Sequence, residues 1–214
     1  FDLVQTDYLG RSHGSVVMDQ SITTDEFHRF RTLIYDESGI TLSDQKRTLL
    51  ASRLSKRIHE LGLATFTDYY DRVTKYSTRE EFTRMLDLIS TNKTDFFREP
   101  KHFDFLRERI LPEQAERKSI RIWSSACSTG EEPYTIAMTC LDAADARAAA
   151  IHILASDLST KALRRAREGV YKSQHVEGIP IQLLRRHFQK GLGACHGTAR
   201  VARHVQRLVE FQQI

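Results

Sequence analysis

Hydrophobic positions change their spacing near residue 90. Before it they recur at helical intervals: Phe27, Phe30, Leu33 and Ile34 form one stripe, and Leu50, Leu54, Ile58 and Leu61 a second. Phe82, Met85, Leu86 and Ile89 form a third. Thr23-Thr24-Asp25-Glu26 has capping-box spacing and starts the first helix, which Gly39 ends. Ser43 or Asp44 caps the second, which runs to Leu61 and stops at Gly62. Thr65 opens a short helix through Tyr69 and Tyr70. Residues 21–90 therefore read as an all-helical module. Residues 1–20 carry no sustained period and read as a tail or cloning remnant around Arg11-Ser12-His13-Gly14-Ser15.

Beyond residue 90 the pattern becomes that of alternating strands and helices. Ile120-Arg121-Ile122-Trp123 is a short β-branched and aromatic run, and a helix follows from Pro133. Ile151-His152-Ile153-Leu154-Ala155 is a second run, followed by Asp157 and a helix through Ala162, Leu163 and Ala166 to Gly169. This order predicts a parallel α/β sheet. After Gly191 and Gly193, Val209 and Phe211 alternate with Glu210 and Gln212, which predicts a small antiparallel β-subdomain over about 188–211.

Composition narrows the class. The 214 residues are 40% hydrophobic and 28% charged, enough for one ordinary core and a small satellite. No apolar stretch approaches the ~20 residues of a membrane span, and no signal-peptide pattern is present, so a soluble intracellular protein is expected. Cys127, Cys140 and Cys195 are odd in number and form no CxxC pair, against a disulfide framework or a structural zinc site. The nine histidines lack HxxxH spacing, so no metal site is expected. The net charge of +4 and pI near 9.0 suit an acidic partner better than nucleic acid.

Three segments carry candidate chemistry. The first strand ends in Ser124-Ser125-Ala126-Cys127-Ser128-Thr129-Gly130-Glu131-Glu132-Pro133, at the strand end where ligands of α/β sheets sit. Ala126, Ser128 and Gly130 are small at alternate positions, so backbone can approach a ligand. The segment is not the GxGxxG fingerprint, which disfavours a nicotinamide cofactor. Pro133 suits the first helical position, which makes Glu132 the expected cap. At the second strand end, Asp157 either hydrogen-bonds the ribose of an adenosine or caps the helix that follows. The third segment, Thr91-Asn92-Lys93-Thr94-Asp95-Phe96-Phe97-Arg98-Glu99-Pro100, joins the two modules. By spacing alone it is either a hydrophobically anchored linker or the setting of a functional arginine.

Thr-Asn-x-Thr-x-Phe-Phe-Arg-Glu, Ser-Thr-Gly-Glu-Glu-Pro-Tyr and Ala-Ser-Asp, in this order, resemble the chemotaxis receptor methyltransferase (CheR) family. The similarity runs from about residue 23 to residue 214 and includes Asp44-Gln45-Lys46-Arg47 and Leu61-Gly62-Leu63. The resemblance implies a Rossmann-like S-adenosylmethionine-dependent methyltransferase domain over 91–214, following the helical module. It implies a cofactor site of Asn92, Thr94, Arg98, Glu132 and Asp157, with Asp157 on the ribose and Arg98 near the reacting centre. It further implies esterification of glutamate side chains on the cytoplasmic methylation region of chemotaxis receptors, with S-adenosylhomocysteine as product. In some family members the β-subdomain holds a receptor C-terminal tail peptide.

Lys46, Arg53, Lys56 and Arg57 form an arc beside the apolar face of the second helix, with Glu60 as its one acid. A solvated face would look the same. No aromatic residue interleaves with them, which counts against nucleic acid. In the family the corresponding helix is implicated in binding the acidic methylation region, and these four are the expected receptor contacts. The family continues beyond the position of Ile214 with an Asn-Leu pair and a Cys-Arg-Asn strand, so the C-terminal part of the domain is expected to be missing. Two other classes share a site of this kind: a nucleic-acid methyltransferase and a non-catalytic adenosyl-ligand docking module.

Overall fold

Thr23 and Glu26 form the expected capping box: Thr23 Oγ1 accepts the Glu26 N–H at 3.2 Å, and the Glu26 carboxylate accepts the Thr23 N–H at 2.9 Å. They start α1 (Thr24–Ser38), which ends on Gly39 at φ 69°. The computed structural model describes residues 21–76, 79–90, 93–143 and 150–214; the tail expected at 1–20 lies outside them. A 3-10 turn over Asp44–Lys46 precedes α2 (Arg47–Glu60), and Ser43 stands before it without a side-chain cap bond. Thr65 and Asp68 repeat the capping box at α3 (Phe66–Asp71), and α4 (Arg79–Ile89) completes the helical module. Glu26 also accepts the Thr67 N–H at 3.0 Å, tying α1 to α3. Phe27, Phe30, Ile34, Leu50, Leu54, Ile58, Tyr69 and Met85 are buried together. Each such side chain contributes roughly 1.5–3 kcal/mol by leaving water.

Between the modules the chain forms helices that the spacing did not predict: α5 (Pro100–Phe105), a wider turn over Leu106–Ile110, and α6 (Leu111–Glu113). Pro100 starts α5, and Phe103 and Leu111 join the core of the second module. There β1 (Ser119–Ser125), α7 (Glu131–Asp142), β2 (Ala150–Asp157) and α8 (Thr160–Glu168) follow in turn. β1 and β2 are parallel, with Ile120 opposite Ile151 and Ser125 opposite Ser156. The chain then passes through β3 (Val170–Lys172), α9 (Ser173–Val176), α10 (Ile181–His187), β4 (Phe188–Lys190), β5 (Thr198–Val201) and α11 (Arg203–Gln206). It ends in β6 (Val209–Gln213).

Two expectations are corrected here. Val209 and Phe211 belong to β6, which pairs parallel with β2, so the sheet order is β1-β2-β6 and the parallel strands among the described residues number three rather than two. The antiparallel sheet, ordered β3-β5-β4, is inserted between α8 and β6 and begins at Val170, not near residue 188. Residues 191–197 form a hydrogen-bonded turn: Gly191 N–H donates to Thr198 O at 2.8 Å, and Thr198 Oγ1 donates to Cys195 O at 2.7 Å. A side chain at Gly191 would collide with the Cys195 carbonyl and Thr198 Oγ1.

The parallel sheet has one covered face. Ile120, Ile151, Ile153 and Ala155 are buried there. On the other face Trp123 is 63% exposed and stands directly opposite Leu154. No helix among the described residues is long and apolar enough to cross a membrane.

Candidate cofactor-binding site

The ends of β1 and β2 lie side by side, and the loop between β1 and α7 folds over them in a strained form. Ala126 (φ 56°), Ser128 (φ 50°) and Gly130 (φ 96°) alternate in the left-handed region. For non-glycine residues this costs about 1–3 kcal/mol each and persists only where surroundings enforce it. Here Cys127 N–H donates to Ser156 O at 2.8 Å, Ser128 N–H to Asp157 Oδ2 at 2.7 Å, and Tyr171 Oη to Thr129 O at 2.7 Å. Gly130 is required for packing as well as for φ: an added Cβ would lie 2.9 Å from Ala166 Cβ on α8.

The expected cap of α7 is corrected. Gly130 is the cap residue, its carbonyl accepting the Tyr134 N–H at 3.1 Å, and Pro133 is the third helical residue. Proline is tolerated there because no N–H in the first turn has an intrahelical acceptor. Glu132 instead accepts the Ser124 hydroxyl at 2.6 Å. Its neighbour Glu131, to which the spacing gave no role, is the buried member of the pair and accepts the Thr129 hydroxyl at 2.7 Å. Burial pushes the Glu131 carboxyl above its ordinary range, against the Thr129 hydrogen bond. Two adjacent glutamates look alike in sequence; only the helix phase separates them.

Asp157 is 8% exposed and acts as a clasp. Oδ2 holds the Ser128 N–H, and Oδ1 accepts the Ser159 N–H at 2.8 Å. Capping of α8 falls to Ser159, whose Oγ accepts the Ala162 N–H at 3.0 Å. Among the described residues, Ser128 Oγ is a buried side-chain oxygen with no hydrogen-bond partner. Burial, reinforced by Asp157, pushes the Cys127 thiol up to about 12, so it stays protonated and is no nucleophile.

A cleft of about 910 Å³ opens over these strand ends. Thr94, Arg98, Ser128, Glu132 and Asp157 all line it. Asn92 lies outside the described residues. The interdomain segment is held by both aromatics: Phe96 meets Tyr171 and Phe188 edge-on at 4.9 and 5.4 Å, and Phe97 packs on Phe103 at 5.9 Å. Arg98 is exposed, with one guanidinium N–H donated to Lys93 O at 2.7 Å. Ile40, Leu42, Lys46 and Leu49 line the cleft from the helical module.

The four arc cations do not form one free surface. Arg57 donates to both Glu81 oxygens, at 2.9 and 2.6 Å, and to Glu60 at 3.2 Å. Arg53 donates to the Ile89 and Ser90 carbonyls at the end of α4. Glu60 is the one acid of the arc, but both arginines find further partners on α4 and at its end. Lys46 and Lys56 are exposed, and of the arc only Lys46 lines the cleft.

Comparison with known proteins gives two family matches. Residues 25–90 match the all-alpha domain of CheR methyltransferases, and residues 92–214 match their S-adenosylmethionine-binding domain. A relative named chemotaxis protein methyltransferase 2, from Pseudomonas aeruginosa, is 38% identical over 192 residues, covering 90% of this chain and 68% of its own length. Chemotaxis protein methyltransferases of Borreliella burgdorferi and Escherichia coli are 41% and 37% identical, covering 76% and 86% of this chain. The chain spans 60% and 64% of the length of these last two.

Proposed function

This chain belongs to the CheR methyltransferase family, and on that premise we propose that the protein esterifies glutamate side chains of chemotaxis receptors, using S-adenosylmethionine held in the cleft. The observation that carries this reading is the convergence of Asp157, Glu132, Thr94 and Arg98 on a single cleft that also reaches the helical module. The residues present fit the cofactor: a buried acid stands at the second strand end, and an unpaired buried hydroxyl stands beside it at Ser128. Asp157 would hold the ribose, with Glu132 and Thr94 elsewhere in the cleft and Arg98 near a carboxylate of cofactor or acceptor. Asn92 joins this set through the family resemblance.

The cofactor's sulfonium supplies a methyl group already activated for transfer. A glutamate acceptor, with a pKa of about 4.3, is ionised at neutral pH, so the site needs no general base. The work of the protein is alignment and exclusion of water. Phe103, Leu106 and Ile136 give the cleft apolar walls, and Arg98 offers a guanidinium suited to orient a carboxylate. The transfer leaves S-adenosylhomocysteine and a glutamyl methyl ester, which removes a negative charge from the receptor and serves chemotactic adaptation.

The acceptor would be the acidic cytoplasmic methylation region of a receptor, which places the protein in the cytoplasm, without membrane insertion and with no nucleic-acid substrate. Lys46, in the turn before α2, and Lys56 on α2 are the arc cations best placed to meet it, because Arg53 and Arg57 bond to α4. A receptor tail peptide would add to an outer strand, β3 or β4, of the antiparallel sheet. The test is to incubate the full-length protein with methyl-labelled cofactor and either receptor fragments or RNA. Alkali-labile label on the receptor supports the reading. Label on RNA, or cofactor binding with transfer to neither, sinks it.

A further inference from the structure

We propose that Ser128 is a cofactor-binding residue whose hydroxyl hydrogen-bonds the ribose beside Asp157, an inference that rests on the S-adenosylmethionine reading above. Ser128 is 7% exposed and lines the cleft. Its Oγ is buried and without a partner among the described residues. A hydroxyl taken from water and left unpaired opposes folding, and buried hydroxyls in proteins are in large majority paired. Nothing in the fold of the loop requires this one. The contact that fastens the loop to β2 is made by the Ser128 backbone N–H, which any residue but proline would supply. The left-handed φ of 50° would be relieved by glycine, so backbone conformation does not select serine either.

What the hydroxyl does have is position. Its own backbone N–H rests on Asp157 Oδ2 at 2.7 Å, so Oγ is held within one residue's reach of that carboxylate. Each Asp157 oxygen receives one backbone N–H and keeps a further lone pair for a ligand. A carboxylate can only accept, so a group binding it here must donate. A ribose hydroxyl donates its hydrogen to Asp157 and still offers lone pairs, which Ser128 Oγ–H can fill. Donor and acceptor needs of all three groups are then met together. The same hydroxyl beside an amino or ammonium group would have only its own lone pairs to offer.

The role predicts an unusual pair of effects. Removing a hydroxyl that holds the fold lowers stability; removing one that waits for a ligand lowers affinity alone. Full-length protein and its Ser128→Ala and Ser128→Gly variants would be titrated calorimetrically with S-adenosylhomocysteine and with 5′-methylthioadenosine, which lacks the amino-acid end. The ligand-free melting temperature of each would also be measured. The expected result is unchanged or raised melting temperature for Ser128→Ala, with both dissociation constants raised about tenfold. Equal affinity in wild type and both variants overturns the assignment while leaving the cofactor reading intact. A loss confined to S-adenosylhomocysteine overturns the ribose contact, and a lowered melting temperature in both variants makes the hydroxyl structural. Failure of the wild type to bind either nucleoside overturns the cofactor reading and this inference with it.

Discussion

Glu81 on α4 receives both arms of the Arg57 guanidinium on α2, at 2.6 and 2.9 Å, and the Tyr69 hydroxyl at 3.0 Å. Burial alone would raise the Glu81 pKa, but the hydrogen bonds from Arg57 and Tyr69 outweigh it and hold the carboxyl below its ordinary value. A carboxylate with a depressed folded pKa stabilises the fold above its unfolded pKa, and that contribution fades as pH falls through the folded value. Arg57→Ala should lower stability by about 1–3 kcal/mol at neutral pH. Chemical denaturation at neutral pH and near pH 3 checks this: the gap between variant and wild type should narrow in acid.

Asp157→Ala should act on fold and affinity together, unlike Ser128→Ala. Asp157 clasps the Ser128 and Ser159 N–H groups as well as facing the cleft. Its loss is expected to lower the melting temperature of the ligand-free protein and to weaken cofactor binding by about 1–3 kcal/mol. Calorimetry on the full-length protein tests the second part, and an unchanged dissociation constant removes Asp157 from the binding site.

Glu131→Gln should stabilise the protein at neutral pH. Glutamine keeps an acceptor for the Thr129 hydroxyl and has no charge to bury. Because the folded pKa is raised, the wild-type side chain takes up a proton as pH falls through that value and regains stability. The advantage of the variant should therefore shrink in acid, as melting curves from about pH 7 to pH 4 would reveal. A variant less stable than wild type at pH 7 would mean that ionised Glu131 is well solvated.

His187 is fully buried, with Nε2 at 3.0 Å from Asp142 Oδ2 and Nδ1 at 3.1 Å from His204 Nε2. Burial first, then His187 and Arg186, push the His204 pKa below its ordinary 6.5, while Asp142 pulls it back. Below about 6.5 the unfolded chain binds a proton that the folded chain resists, so stability falls as pH drops from there. His204→Gln should flatten this slope. Denaturant midpoints between about pH 7.5 and pH 5 give the readout, and identical slopes would dismiss His204 as its source.

Lys46 shares the cleft with Asp157, whereas Lys56 on the same arc does not. Lys46→Gln should raise the KM for the receptor acceptor severalfold and leave cofactor affinity unchanged, with Lys56→Gln a milder change in the same direction. Both effects should shrink with added salt, because they are electrostatic attractions at exposed positions. Steady-state methylation at two ionic strengths separates these outcomes, and wild-type KM in both variants reduces the arc to a solvated face.

Local signals were legible in the sequence where one residue meets another a turn away. The Thr23–Glu26 box and the Gly39 stop both appear where the spacing places them. Partners far along the chain were not legible. Glu81 lies 24 positions from Arg57, and nothing in the α2 arc announces it. Val209 and Phe211 alternate as any half-covered strand does, but alternation is blind to which sheet a strand joins. The site was legible in the same uneven way. Strand ends marked Asp157 and the loop, but alanine and serine give no warning of left-handed backbone at Ala126 and Ser128. Proline at position 133 pointed to a helix start and missed it by two residues, since the first turn tolerates proline at more than one place.

Trp123 is the one tryptophan of the chain, and its place on the open sheet face makes it an optical instrument. Its indole N–H donates to Ser156 Oγ at 2.9 Å, and the Ser156 carbonyl in turn holds the Cys127 N–H one residue before Asp157. The chromophore is thus wired into the strand end that carries the site while its ring faces water. Covering the face would shift its emission to the blue; disturbing the strand end would change its quenching. Spectral position and intensity accordingly report two different events from a single unlabelled side chain.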